Sequence, residues 1–160
     1  PDFFVRDMLT WSLTRHPQAE VYPLLVRALD NPRARAQALH TLSKLGHPDT
    51  WAVITPALLH DDDAAVRTTA WRVAVASVPE AEVDDLIAEL IGELGRGEVE
   101  TQRSLSRALA SFGPLARDRV QHVAHHAQHA LALIDDPDGE DHTHLEFARK
   151  VAALGIDSAD

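Results

Sequence analysis

The chain is 160 residues long, contains no cysteine, and carries a formal net charge of -10 at pH 7. A chain of this length can bury about two-thirds of its unfolded surface in one continuous core, and without cysteine it has no disulfide, thiolate metal site or cysteine nucleophile. The negative charge opposes nonspecific binding to nucleic acid, because such binding depends on Lys and Arg displacing counterions from phosphates.

The N-terminal segment PDFFVRDMLT lacks the basic, apolar and cleavage regions of a signal peptide, which favours a cytoplasmic location. No apolar run in the chain approaches the roughly 20 residues of a membrane-spanning helix, so we expect no membrane partner. Because the chain begins at Pro1 and not at Met, we expect a mature product or a piece of a longer protein.

Residues 31–46, NPRARAQALHTLSKLG, have the pattern of an amphipathic helix. Asn31 is a good N-cap and Pro32 suits the first turn, so the helix is predicted to begin at about residue 32. Gly46 stands where a left-handed C-terminal residue is favoured, which predicts the end of the helix. The apolar positions recur at helical spacing: Ala38, Leu39, Leu42 and Leu45.

Related copies of this helix precede and follow it, and a second helical stretch comes after each copy. Arg6, Arg35 and Arg67 align, and Gln102 takes the same position in the fourth copy, which gives intervals of 29, 32 and 35 residues. A period in this range predicts an all-α solenoid of about four antiparallel helix pairs, whose units bury their apolar faces by stacking. The predicted repeats are residues 2–30, 31–61, 62–97 and 98–134.

The segment after the repeats is predicted to be an acidic linker, residues 135–142, followed by a C-terminal capping helix and tail, residues 143–160. Thr143 and Glu146 have the spacing of a capping box, so this helix is expected to run from about 144 to 154.

Two short motifs resemble HEAT repeats, particularly the short bacterial HEAT-like kind of the PBS-lyase type. The first is Asp-x-x-Val-Arg in a first helix, and the second is Pro-x-Leu in a second helix. They occur at Asp2, Val5 and Arg6, at Asp63, Val66 and Arg67, at Pro23 and Leu25, and at Pro56 and Leu58. The resemblance covers about residues 2–134 and implies a curved right-handed stack. It also implies that the repeated Asp and Arg cap helices and link neighbouring units, an interpretation we favour over an anion site.

The resemblance further implies that the second helices line a concave surface, which becomes acidic toward the third repeat. An acidic groove suits a basic peptide or a Lys/Arg-rich protein face, and the alternative is that these charges only keep the surface soluble. The candidate binding residues on this surface are Tyr22, Arg27, Thr55, His60, Asp85, Glu89 and Glu93.

Four histidines form a polar stripe on the last repeated helix: His122, His125, His126 and His129. Pairs at i,i+4 have a spacing at which two imidazoles can bind Zn²⁺, Ni²⁺ or Cu²⁺. No third ligand is fixed, although Asp135, Asp136 or His142 could approach. We favour a solvated polar face over a functional metal site or a pH sensor, and we expect no cofactor.

The tryptophans divide into one core residue and two uncertain ones. Trp71 aligns with Leu39 and is predicted to be buried, whereas Trp11 and Trp51 could contribute to a binding surface.

The sequence contains no Gly-rich phosphate loop, HExxH or Gly-x-Ser-x-Gly motif, so we predict a noncatalytic domain that binds a protein or peptide. One alternative is a regulatory or ligand-sensing domain of a larger bacterial protein, such as a transcription regulator. Another is the HEAT-like DNA alkylation repair glycosylase group, which such an array resembles and whose groove is basic.

Overall fold

The computed structural model describes residues 3–135, and the side chains of Phe3 and Leu133 are not among the described atoms. The helices are α1 Phe3–Leu13, α2 Gln18–Ala28, α3 Arg35–Leu45, α4 Pro56–Leu59, α5 Ala64–Ser77, α6 Val83–Ile91, α7 Val99–Ala110 and α8 Pro114–Asp135. Short 3-10 helices, Pro48–Val53 and Glu80–Glu82, precede α4 and α6. This part of the chain contains no strand, and the predicted all-α solenoid is confirmed. The predicted capping helix and most of the acidic linker lie outside the described residues.

The chain divides into two compact units, residues 1–119 and residues 120–160, with the division inside α8. In the first unit the first helices of successive pairs stack in order, because α3 packs against α1 and α5, and α5 packs against α7. The second helices lie beside them: α2 packs against α3, α4 against α5 and α6, and α6 against α7. Stacking of consecutive pairs is how a solenoid builds one core from short repeats.

The core of the first unit includes the apolar positions that the helical spacing predicted on α3. Leu39 and Leu42 on α3 are fully buried, as are Ile87 on α6 and Leu105 on α7. Trp71 on α5 is 1% exposed, and its Nε1 donates a hydrogen bond of 2.8 Å to the carbonyl of Leu59. The prediction that Trp71 occupies a core position equivalent to Leu39 is therefore confirmed, and its buried N–H is satisfied.

The prediction for α3 is confirmed at its C-terminal end and wrong at its N-terminal end. Gly46 has a φ of 64°, so the predicted left-handed end is confirmed. The start at about residue 32 is wrong, because regular helix begins at Arg35. Asn31 accepts hydrogen bonds with its side chain from the amide of Arg33 and with its carbonyl from that of Ala34. These bonds stabilise a turn that delays the first helical residue.

The repeated arginine position connects α3, α5 and α7 to the segment that follows the preceding second helix. Nε of Arg35 donates to the carbonyl of Leu29 at 2.8 Å, and Nη1 of Arg67 donates to the carbonyl of Asp61. In the fourth copy, Nε2 of Gln102 donates to the carbonyl of Arg96. In all three cases the acceptor lies six residues before the donor. The linking role predicted for Arg35 and Arg67 is confirmed, and Gln102 performs the same role with a neutral amide.

The α1–α3 contact is held by a ring of hydrogen bonds between polar side chains. Nε2 of Gln37 donates to Oγ1 of Thr10 at 2.8 Å, and Oγ1 of Thr41 donates to the carbonyl of Gln37 at 3.0 Å. Because the Thr41 proton is used in that bond, Thr10 must donate across the 3.2 Å contact to Thr41. Thr10 is the buried residue among the described side chains of α1. The exposed apolar residues of this helix are Phe4, Val5, Met8, Leu9 and Trp11.

Candidate functional site

The ends of α4 and α6 bring together residues that are far apart in sequence. His60 follows α4 directly, and its amide donates to the carbonyl of Pro56 at 3.0 Å. A turn extends α6 beyond Ile91, with the amide of Glu93 donating to the carbonyl of Leu90 at 3.1 Å. This turn places Glu93 beside His60, together with Glu89 from α6 itself.

Both ring nitrogens of His60 contact a carboxylate. Nε2 lies 2.6 Å from Oε2 of Glu89, and Nδ1 lies 2.6 Å from Oε1 of Glu93. Carboxylates only accept hydrogen bonds, so both nitrogens donate when the ring is an imidazolium. The hydrogen bonds to Glu89 and then Glu93 raise the pKa of His60 above its ordinary value, and they outweigh the opposing effect of burial.

Glu93 is the buried centre of this arrangement, with 2% of its surface exposed. Its Oε1 accepts from Nη1 of Arg96 at 2.8 Å, and its Oε2 lies 3.1 Å from Nε of Arg67 in an ion pair without hydrogen-bond alignment. Burial by itself raises the pKa of Glu93, but hydrogen bonds from His60 and Arg96 bring it below the ordinary value. The prediction of Glu93 as a contact residue on an open surface is wrong, because its carboxylate is enclosed by cations.

Asp62 completes the arrangement through its contact with Arg96. We call this arrangement the His60 cluster: His60, Asp62, Arg67, Glu89, Glu93 and Arg96. Nη2 of Arg96 contacts Oδ1 of Asp62 at 2.9 Å, and its Nη1 donates to the carbonyl of His60 at 3.1 Å. Neither Arg96 nor Asp62 was among the site residues predicted from the sequence. They lie in loops, outside the helical periodicity, and the one available signal was their opposite charges about one repeat apart.

The remaining candidates on the second helices occupy three environments. Tyr22 is half-buried: its hydroxyl donates to the carbonyl of Asp49 at 2.8 Å, and its ring stacks on His47 with centroids 3.9 Å apart. Burial, and then the charge of Asp49, raise the pKa of Tyr22. Arg27 and Thr55 are exposed, and Thr55 borders a depression of about 280 Å³.

Asp85 is an exposed carboxylate in the first turn of α6. Within residues 3–135, no ion pair or hydrogen bond engages its side chain. Its neighbour Asp84 contacts Arg119 at 3.3 Å, and Glu89 keeps 43% of its side chain exposed while bound to His60. Asp85 and Glu89, one helical turn apart, therefore present negative charge to solvent.

The comparison with protein families identifies the repeat. A family model described as HEAT repeats matches residues 1–76. Residues 1–76 are therefore similar to HEAT repeats. The matched segment includes the first two helix pairs and nearly all of α5. Neither the curated proteins nor the solved structures contain a match to this chain. HEAT repeats generally mediate protein–protein interaction.

The three tryptophans of the chain have different roles. Trp71 is in the core, and Nε1 of Trp51 donates to Oε2 of Glu82 at 2.9 Å, which links two successive repeats. Trp11 is 54% exposed on α1, and the guanidinium of Arg15 lies 4.5 Å from its ring centroid. Trp11 is thus the tryptophan that keeps an accessible ring.

The predicted histidine stripe lies on α8, and His122, His125, His126 and His129 are all exposed. Among the residues that the structure describes, no group of three His, Asp or Glu side chains is placed to hold a metal ion. Asp135 is among these residues, whereas Asp136 and His142 lie outside them. The stripe offers pairs of imidazoles at i,i+4, and a pair alone does not complete the four-coordinate site typical of zinc.

The described helices also bear on membrane association. None of those within residues 3–135 combines the length and the apolar character needed to cross a bilayer.

Proposed function

We propose that this HEAT-repeat array is a noncatalytic interaction domain that binds a Lys/Arg-rich peptide or protein face. The proposed contact is the second-helix surface, which we define by the exposed or half-exposed residues Tyr22, Arg27, Thr55, Asp85 and Glu89. The observation that supports it best is the exposed carboxylate of Asp85, next to the half-exposed Glu89.

Because the charges of the His60 cluster balance, the proposed attraction of a basic partner comes mainly from the beginning of α6. The cluster contains three cationic and three anionic side chains when His60 is protonated, so it neutralises itself. Asp85 lies outside it and keeps its full charge. A basic partner would therefore be attracted to the beginning of α6, where exposed charges act mainly on association rate and selectivity.

The same cluster would also keep the surface in one conformation. His60 and Arg96 connect the end of α4 to the end of α6 through contacts of 2.6 to 3.1 Å. A surface that is already ordered loses less conformational entropy when a partner binds, which favours affinity for a given contact area.

The test is a selection from a random peptide display library on the wild-type chain, followed by affinity measurement for the recovered peptides by fluorescence anisotropy. We expect enrichment of Lys and Arg, and binding about three- to tenfold weaker to Asp85→Lys, in line with the small free energy of one exposed ion pair and the added repulsion.

The matched control is Glu100→Lys, which makes the same change in net charge on α7, where Glu100 pairs with Arg103. We expect this variant to bind the selected peptides as tightly as the wild type. Peptides without basic enrichment, or equal weakening in both variants, would contradict the proposed surface.

A further inference from the structure

A second surface of the array, on its first helices, has the opposite charge character. Between α5 and α7 lies a depression of about 300 Å³. Thr68, Arg72 and Val75 line it from α5, and Ser104, Arg107 and Ala108 line it from α7. The α5 positions are three or four residues apart, and on α7 both Arg107 and Ala108 lie three or four residues after Ser104, so that each set shares one face. All six belong to the compact unit of residues 1–119.

The two arginines of this depression are not in ion pairs within the described residues, unlike five other arginines of the chain. Arg35, Arg67, Arg96, Arg103 and Arg119 each contact an Asp or Glu. Within the described part of the chain, Arg72 and Arg107 contact no carboxylate, and no acidic residue lines the depression. Two guanidinium groups therefore face one space without counter-charge, in a chain whose net charge is -10.

His40 lines a neighbouring depression together with Arg72 and is affected by the same cation. Burial lowers the pKa of His40 first, and the charges of Lys44, Arg72 and Arg6 lower it further, with Asp7 opposing them. Arg72 also borders a smaller depression of about 150 Å³, but that one contains Asp7. An anion is thus better accommodated on the α7 side of Arg72, where the second cation is Arg107.

The other residues of the larger depression indicate which groups the ligand would carry besides its anionic group. The hydroxyls of Thr68 and Ser104 donate to the carbonyls of Ala64 and Glu100, at 2.7 and 3.0 Å, which leaves their oxygens able to accept. Val75 and Ala108 add apolar surface. The volume lies at the lower end of the range for small-molecule sites, so the ligand must be small.

We propose that this depression binds a small hydroxylated phosphate monoester, whose phosphate is held by Arg72 and Arg107. A phosphate monoester carries a charge of about -1.5 to -2 at pH 7, which two guanidinium groups neutralise, whereas a single carboxylate would balance only one. The hydroxyls of the ligand would donate to Thr68 and Ser104. This site is on the first helices and does not depend on the proposed peptide-binding surface.

The experiment is isothermal titration calorimetry with glycerol phosphate as the probe, at low ionic strength held constant with chloride. We expect saturable one-site binding to the wild type, and affinity reduced by about tenfold or more in Arg72→Gln and in Arg107→Gln, as is usual when a hydrogen-bonded charge is removed. Both arginines are exposed, so we expect these variants to keep the helical circular dichroism and melting temperature of the wild type.

The matched control is Arg103→Gln, which removes one positive charge from α7 at a residue that does not line the depression. Its affinity for glycerol phosphate should equal that of the wild type. The site would be overturned by an equal loss of affinity in this control, by unchanged binding in the Arg72 and Arg107 variants, or by absence of saturable binding to the wild type. Equal affinity for lactate, a hydroxylated ligand with a single carboxylate, would overturn its selectivity for phosphate.

Discussion

Glu93 is almost fully buried and carries a negative charge. The cations around it compensate the energetic cost of burying that charge. Its carboxylate contacts His60, Arg67 and Arg96, and Arg67 is itself only 3% exposed. When one member of a buried ion pair is removed, the remaining charge stays buried without compensation, and this costs more than the pair contributes when it is intact. The loss of folding stability caused by a substitution in the His60 cluster should therefore depend strongly on how deeply the substituted side chain is buried.

Glu93→Gln should lower the free energy of unfolding by about 3 to 5 kcal/mol, because it leaves the buried guanidinium of Arg67 without its carboxylate. Asp62→Asn is the matched control, since it removes one negative charge from the same cluster at a fully exposed side chain. This control should produce no measurable change. Urea denaturation of both variants measures the difference, and similar losses of stability would contradict the assigned burial of Glu93.

The raised pKa of His60 predicts a specific dependence of stability on pH. A raised folded-state pKa contributes stability that is fully present below the unfolded value of about 6.5 and is lost as the pH rises through the folded value. The stability difference between the wild type and His60→Gln should thus shrink above pH 6.5. Measurements by urea denaturation between pH 5.5 and 8.5 test this, and a difference that grows with pH would show the opposite linkage.

An NMR titration of the His60 ring separates this contribution from that of His40, whose lowered pKa has the reverse effect on stability. Glu89→Gln removes the first carboxylate partner of His60 and should lower its pKa. Glu20→Gln, an exposed change on α2, should leave it unaltered. An unchanged His60 pKa in Glu89→Gln would argue against the observed hydrogen bond.

At the scale of helices, the recurring bond to the carbonyl six residues earlier explains why one position of the repeat tolerates both Arg and Gln. The position requires a long side chain with a donor, because the acceptor is a backbone carbonyl in the segment that follows the preceding second helix, six residues earlier. Positive charge adds an ion pair where an acid is nearby, as in the 2.7 Å contact between Arg35 and Asp61. In the fourth copy the amide of Gln102 instead accepts from Gly95 and donates to Glu93.

Gln102→Ala should lower the free energy of unfolding by about 1 to 3 kcal/mol, because it leaves the backbone groups of Glu93, Gly95 and Arg96 without this partner. Ser106→Ala on the same helix is the control, since this exposed hydroxyl donates only to the carbonyl of Gln102 in its own helix. We expect this variant to change the free energy of unfolding by no more than about 0.5 kcal/mol. Thermal and urea unfolding should rank the two variants in this order. A Gln102→Ala variant as stable as Ser106→Ala would mean that the side chain has no linking role.

At the scale of the whole molecule, the two proposed binding surfaces separate the charges of an acidic chain. The second helices expose Asp85 and Glu89, whereas the first helices expose Arg72 and Arg107 around a depression. Stacked repeats make this separation possible, because each helix pair presents one helix to each side of the shared core. The acidic residues of the second helices predicted the acidic surface, whereas a net charge of -10 gave no indication of a basic one.

Helical periodicity and the spacing of the repeats predicted the helix pairs and much of the core. Helical spacing located Leu39 and Leu42, Gly46 marked a helix end through its backbone freedom, and the alignment of Gln102 with the arginines anticipated its linking position. These features are local or periodic, so that they can be read along the chain. The turn at Asn31 shows the limit of this approach even locally, since competing hydrogen bonds moved the start of α3.

Tertiary packing sets which charged residues are paired and which remain accessible to a partner. The helical pattern made Glu93 and Asp85 equivalent as polar positions near α6, yet one is enclosed by His60, Arg67 and Arg96 and the other is exposed. Their difference depends on loops from neighbouring repeats, whose path does not follow from helical periodicity. Charge neutralisation is a property of three-dimensional distance, and sequence separation does not encode that distance.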